Sequence, residues 1–224
     1  MSVNEQNYKA ILAKTETAGA TLVAVSKLKP VSDIKALYDL GQRDFGENYV
    51  QELAEKQPQL PDDIRWHFIG HLQSNKVKYI ASFVHLIQGV DSERLLVEID
   101  KQARKNGRII DCLLQVHVAQ EETKFGFDGG EVTALLGRIG SGVLVLPNVR
   151  VKGLMAMASF TEDADQLKQE FTAMKALFEK SFKPETSDLK LQTLSMGMSG
   201  DYELALECGS TMIRVGSLLF GARG

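Results

Sequence analysis

Eight short apolar, β-branched runs alternate with helical patterns along these 224 residues, one pair roughly every 28 residues, and no linker rich in Pro, Gly or Ser interrupts them. Strands that each return through a helix must lie parallel, which leaves a closed barrel or an open doubly wound sheet. An amphipathic helix fills the first 18 residues, with Tyr8, Ile11, Leu12 and Thr15 at helical spacing. Strand one is the run Thr21-Leu22-Val23-Ala24-Val25, ending at Lys27 and stopped by Pro30. Ser32 to Leu40 reads as a helix with Ser32 as N-cap and Gly41 as stop, then come strand two, Arg43 to Phe45, and a helix ending before Pro58. Strand three is Arg65 to Ile69, a short helix spans Asn75 to Ala81, and strand four is Val84 to Gln88. Ser92 caps a helix carrying Leu95, Leu96, Ile99 and Ala103, closed by Gly107 before strand five, Ile109 to Val118. Gly130 to Gly140 is weakly helical, Val149 to Met155 is strand six, and Ala164 to Phe182 is a long helix. Leu191 to Ser195, a helix over Asp201 to Cys208, and Met212 to Val215 complete the series.

The expected fold is therefore α/β, a (β/α)8 TIM barrel with an extra N-terminal helix, forming one domain over 1–224. An open sheet of the dinucleotide-binding kind wants Gly-x-Gly-x-x-Gly after strand one; that turn here is Lys27-Leu28-Lys29-Pro30.

Composition narrows the partners. With 44% hydrophobic residues, 25% charged residues and a formal net charge of −3, the chain can fill a large core but has no basic excess for nucleic acid or anionic membrane. Its first residues lack the apolar segment of an export signal, and no stretch approaches the ~20 apolar residues of a membrane span. Cys112 and Cys208 form no C-x-x-C pair. A cytoplasmic location is expected. No His/Cys/Asp/Glu set has metal-ligand spacing, so no metal is expected.

Candidate chemistry starts at Lys27. Val23, Val25 and Lys27 share one face of an extended strand, so an inward face carries the amine toward an apolar interior, where burial favours the neutral form that condenses with an aldehyde. Equally, Lys27 can be the first solvated residue after a strand, with Lys29 the second. In a (β/α)8 barrel the site lies at the carboxyl ends of the strands, and the loops after strands seven and eight often bind phosphate. Here those loops are Ser195-Met196-Gly197-Met198-Ser199-Gly200-Asp201 and Gly216-Ser217, small-residue turns that can aim backbone N–H groups and hydroxyls at an anion. They can also be plain turns. If they are a cradle, a bulky residue at Gly197 or Gly216 should hurt ligand binding more than folding. Arg214, two residues before Gly216, shares its face and could give a permanent donor to an aromatic ring nitrogen, or could form an ion pair at the barrel mouth. Amine, anion cradle and arginine converge if strand eight pairs with strand one. Together they suit the aldehyde, phosphate and ring nitrogen of pyridoxal 5′-phosphate.

Ala24-Val25-Ser26-Lys27, Phe45-Gly46-Glu47-Asn48, His67-Phe68-Ile69-Gly70 with Leu72-Gln73 and Asn75-Lys76, Gly153-Leu154-Met155, Ser195-Met196-Gly197-Met198-Ser199 with Asp201, and Arg214-Val215-Gly216 together resemble the pyridoxal phosphate homeostasis proteins. That family in turn resembles the barrel domain of alanine racemase. The resemblance implies that Lys27 carries the cofactor as an aldimine and that the protein serves intracellular pyridoxal phosphate balance by storage, buffering or delivery, without established catalysis. On this reading the cofactor-binding set is Lys27, Asn48, Ser195, Met196, Gly197, Ser199, Arg214, Gly216 and Ser217, and no residue is assigned a catalytic role. Recipients would be pyridoxal phosphate-dependent apo-enzymes, and the protein is expected to be a monomer.

The alternative is a single-domain racemase. Alanine racemase adds a β-rich domain bearing a second base; no such domain is expected here, while Tyr49 and Tyr202, though near the right loops, sit at helix starts. Asn48 either faces the cofactor ring or holds its own turn, His67 reads as a core or interface histidine, His71 is a candidate for ligand contact, and Glu121, Glu122 and Lys124 form a charged loop after strand five.

Overall fold

The computed structural model describes residues 3–118, 125–181 and 192–221; Glu121, Glu122, Lys124, Phe182 and Leu191 lie outside them. Eight strands close into a parallel barrel in sequence order: β1 Thr21–Val25, β2 Asp44–Glu47, β3 Arg65–Phe68, β4 Leu86–Val90, β5 Ile110–Val116, β6 Val149–Ala156, β7 Thr193–Ser195 and β8 Met212–Val215. Closure is made by β1 and β8, with Val23 opposite Arg214 and Ala24 opposite Val215. The helices are α1 Glu5–Thr17, α2 Val31–Asp39, α3 Val50–Lys56, α4 Glu93–Lys105, α5 Gly129–Gly140, α6 Ala164–Ser181, α7 Tyr202–Glu207 and α8 Ser217–Phe220.

Alternation along each strand divides the core in two. Outward residues such as Ala24, Phe45, Phe68, Leu114, Leu154 and Ile213 pack against the helices through Ile34, Leu37, Leu53, Leu96, Ile99 and Met174, all fully buried. Truncating one of these large side chains to alanine costs about 3–5 kcal/mol. Inward residues Val23, Leu86, Leu113, Met155 and Met212 form a separate small cluster that fills the lumen.

Several element ends differ from the sequence expectation. Pro30, with φ −67°, occupies the N-cap of α2 without a side-chain cap, so Ser32 lies inside the helix rather than starting it; proline's fixed φ makes the start. Strand two begins at Asp44 and runs on to Glu47, because that carboxylate finds partners that let a charged residue finish a buried strand. Strand four begins at Leu86: Ala81 and Val84 are buried in the preceding turn and belong to the outer core, so the apolar run starts before the strand. The segment Ser74–Tyr79 is a 3-10 helix. Strand three stops at Phe68 and strand five spans only Ile110–Val116, as strand ends do where ladder partners run out. Ser92 does cap α4, accepting the N–H of Leu95, and α5, weak in sequence, starts with a complete Asp128–Glu131 capping box. The final short helix α8 had no expectation.

Candidate functional site: a clamped lysine at the barrel mouth

β1 ends at Val25 and the chain turns through Ser26-Lys27-Leu28-Lys29, closed by the Lys29 N–H donating to the Ser26 carbonyl at 3.0 Å. Leu28 has φ +61°, and is the sole described non-glycine residue in the left-handed region, a conformation worth about 1–2 kcal/mol of strain for a side chain like leucine's. Three charged side chains hold it there. Glu47 Oε1 accepts the Ser26 hydroxyl at 2.6 Å, Lys56 Nζ donates to the Ser26 carbonyl at 2.8 Å, and Glu52 Oε1 accepts the Leu28 N–H at 2.6 Å. Lys56 joins the two carboxylates, at 2.8 Å to Glu47 and 2.6 Å to Glu52, four residues earlier on α3. Lys27 is thus gripped by its backbone on both sides. Burial pushes the Glu47 carboxyl up, against the pull of Lys56 and Ser26. Lys27 itself is half-buried, and Lys29 donates to the carbonyls of Phe220 and Gly221 at 3.0 and 3.4 Å, so the two lysines differ in surroundings.

On the other side of the β1–β8 seam stand the two small-residue loops. The Gly216 N–H donates to Ser199 Oγ at 3.2 Å, linking them. Ser217 and Leu218 open α8, and the N–H groups of a first helical turn have no intrahelical acceptor. Met198 N–H donates to Asp201, whose carboxyl is pushed up by burial and drawn down by that bond and by Arg214. Ser195 and Met196 are fully buried beneath this loop; Met196 N–H bonds the Met212 carbonyl at 3.1 Å, so its donor is spent in the sheet. Gly197, at φ +96°, is first a packing residue: a Cβ there would sit 2.6 Å from Ala205 Cβ and 3.2 Å from Tyr202 Cα. At Gly216 an added Cβ would lie 3.2 Å from the Val25 carbonyl oxygen. Bulk at either glycine therefore strains the fold as well as the mouth, contrary to expectation.

Arg214 is 4% exposed and held by Ser195 Oγ at 2.6 Å and the Ala156 carbonyl at 2.8 Å. Among the described residues it makes no ion pair at the mouth. Burial lowers its pKa to about 10, against the pull of Asp201, so it remains a cation at neutral pH. Asn48 follows β2 with its Oδ1 buried and, among the described residues, without a hydrogen-bond partner, and the Gly70 backbone lies so close that a Cβ there would come within 2.3 Å of the Asn48 carbonyl oxygen. His67 is a core histidine. His71 is bound to Asp91 at 2.8 Å and stacked on Phe125 with ring centroids 4.0 Å apart. The Tyr202 hydroxyl donates to Glu203, which pairs with Lys14 of α1 on the barrel's outside, and Tyr49 is exposed. Among the described residues no group of three His, Cys, Asp or Glu side chains could hold a metal ion.

Glu47, Glu52 and Lys56 carry much of this geometry without having been given a role from the sequence. The one local signal was the Glu52–Lys56 spacing of four on a helix.

Residues 4–224 match the family model described as alanine racemase, N-terminal domain. The pyridoxal phosphate homeostasis protein of Pasteurella multocida is 40% identical over 216 residues, covering 94% of this chain and 90% of its own length. That of Aquifex aeolicus is 41% identical over 205 residues, 91% of this chain and 87% of its own. PipY of Synechococcus elongatus, solved without PLP, superposes with a TM-score of 0.88 at 35% identity, covering 96% of this chain and 99% of that one; with PLP bound the TM-score is 0.85 at 34% identity over the same shares. With a matching fold and this identity along nearly its whole length, the chain belongs to the alanine racemase N-terminal domain family and, within it, to the pyridoxal phosphate homeostasis proteins.

Proposed function

We propose that this chain holds pyridoxal 5′-phosphate at the mouth of the barrel and serves its intracellular balance by storage, buffering or delivery, without turning over a substrate. The observation that carries this reading is the clamped Lys27 turn lying across the β1–β8 seam from the Ser199–Gly216 link. Asn48 Oδ1 supports the fit, since a buried acceptor without a partner costs free energy that a ligand donor would recover.

When bound, the cofactor supplies an aldehyde that an amine can capture and a pyridine ring that can draw in electrons. Lys27 is the residue for that covalent attachment, held in place by a backbone that Glu47, Lys56 and Glu52 do not let move. Ser199 and the N–H groups of Gly197 and Ser217 are the phosphate holders, and Gly216, whose N–H is taken by Ser199 Oγ, fixes that hydroxyl in place. Ser195 and Met196 act from beneath, one through Arg214 and one by fixing the loop. Arg214 stays protonated at neutral pH, so it offers hydrogen bonds to a ring nitrogen and gives up no proton to it. That arrangement disfavours carbanion chemistry. Tyr202 is turned to the α1 side, away from the role of a second base.

By the same proposal the protein is a cytosolic monomer whose recipients are pyridoxal phosphate-dependent apo-enzymes. The two free cysteines, one buried, suit a reducing compartment, and no helix among the described residues is long and apolar enough to cross a membrane. The test is to load the protein with the cofactor, reduce with borohydride and map the modified peptide. The adduct is expected on Lys27 and lost in Lys27→Ala; an adduct on Lys29 or Lys76 overturns the assignment.

A further inference from the structure

The lumen of the barrel contains polar groups that neither the clamp nor the mouth loops explain. From Arg214 Nη1 a hydrogen bond of 2.6 Å reaches Ser195 Oγ; the Ser195 hydroxyl donates to Gln88 Oε1 at 2.7 Å; Gln88 Nε2 donates to His67 Nδ1 at 3.0 Å. His67 Nε2 meets Asp44 Oδ1 at 2.9 Å, and Asp44 is held by both Arg65 Nε and Nη2 at the far end of the barrel. Ser195, Gln88 and His67 are at most 1% exposed. An apolar filling would be the simpler one, as the neighbouring Val23, Leu113, Met155 and Met212 show, and a buried polar chain is tolerated only if every member is satisfied.

From Arg214 to Asp44 every donor points the same way. Because Gln88 Nε2 donates to Nδ1, His67 carries its proton on Nε2 and gives it to the Asp44 carboxylate. Because Gln88 Oε1 takes the only hydroxyl hydrogen of Ser195, that oxygen can face Arg214 only as an acceptor. A carboxamide alone serves both ends: methionine or leucine offers neither group, and a carboxylate cannot donate to Nδ1.

We propose that Gln88 is a positioning residue for the cofactor site: through Ser195 it sets the orientation of the Arg214 guanidinium, using the Asp44–Arg65 pair and His67 as its fixed anchor. The proposal rests on the reading that Arg214 faces the ring nitrogen of pyridoxal phosphate, and it deepens that reading by naming what aims the arginine.

The test begins on the cofactor-free protein. Nitrogen-15 NMR should show His67 as the Nε2–H tautomer, and the Arg214 guanidinium protons should exchange slowly in the wild type and at least tenfold faster in Gln88→Met. The cofactor is then added. Gln88→Met should still form the Lys27 adduct but with a displaced visible absorption band and affinity about tenfold weaker, the worth of one hydrogen bond to a charged group. Ser195→Ala, which changes the lumen by one oxygen atom, should reproduce the displacement and carries the test if Gln88→Met does not fold. Equal Arg214 exchange rates in wild type and variants overturn the proposal, as does an unshifted band in both. A wild type that fails to attach the cofactor at Lys27 is a different result: it refutes the site reading and leaves the exchange measurement standing.

Discussion

Replacing Lys56 by methionine removes the one cation of the clamp while keeping most of its volume. Lys56 is 7% exposed and Glu47 is fully buried, so the variant leaves Glu47 and Glu52 close together without the ammonium that joins them. Removing one partner of a buried pair costs about 3–5 kcal/mol. At about 2.1 cal/mol/K per residue, a chain of this size unfolds with roughly 0.5 kcal/mol/K of entropy, so Tm should fall by about 6–10 °C. The sign of the pH dependence is fixed by the same pair. Glu47 already has a folded-state pKa above its ordinary 4.5, and loss of Lys56 raises it further, so the folded variant binds more protons than the unfolded one. Its stability is then retained near the unfolded value and lost as pH rises through the raised one. The Tm deficit against wild type, followed by circular dichroism from about pH 4.5 to about pH 8, should therefore widen with pH. Lys56→Met combined with Glu47→Gln should recover much of the loss. A deficit below about 2 °C, or one flat across that range, refutes the reasoning that a buried charge balance holds the Lys27 turn.

Asp44 makes a contrasting pH prediction: burial would raise its carboxyl, but the bonds from Arg65 and His67 win and bring it to about 2. Asp44→Asn should cost about 2 kcal/mol at neutral pH, with the gap to wild type closing as acid carries pH down from about 4 toward about 2. Gly197→Ala should destabilise by about 1–3 kcal/mol because of its contact with Ala205 and its positive φ, whereas Gly200→Ala, with nothing within 4 Å of the added carbon, should stay within about 0.5 kcal/mol in urea titrations. Leu28→Gly should leave Tm unchanged or raise it, since relief of the left-handed strain offsets the lost side chain and the freer unfolded chain; a clear fall would show that Leu28 packs on something that matters. Incubated with the loaded protein in deuterium oxide, L-alanine should keep its Cα proton and optical activity; rapid racemisation abolished by Lys27→Ala would promote the enzyme reading over the binder.

The barrel was legible because its signal is repeated: eight apolar runs at similar spacing predict the closure, and Met212–Val215 was placed to the residue. Local chemistry was legible where one residue decides it, as at Ser92. It failed at Ser32 because proline two residues earlier offered a competing start, and at Val84 because an apolar residue in a buried turn looks like one in a strand. The candidate mouth residues were placed by their position at the ends of strands one, two, seven and eight. The groups that hold them were not. Glu47 meets Lys56, and Gln88 meets Ser195 from 107 positions away, through barrel register, which no local pattern encodes. Polar residues on different strands become partners only when closure brings them into one lumen.

The closing seam also sets an order of events in time. Lys29 reaches the carbonyl of Phe220 across 191 positions, Asn7 reaches Leu218, and the Asn4 N–H bonds Leu219, so both ends of the chain are tied at the wall that carries the site. Contacts of such sequence separation are late in folding, because the loop they close must first lose its freedom. A ribosome-bound chain that has not yet released Arg214 and α8 can already possess Lys27, its turn and most of the helices, yet it lacks the partner strand that makes them a binding place. Cofactor capture would then report closure of the barrel, and each captured molecule would hold it shut by mass action, in proportion to the logarithm of its free concentration.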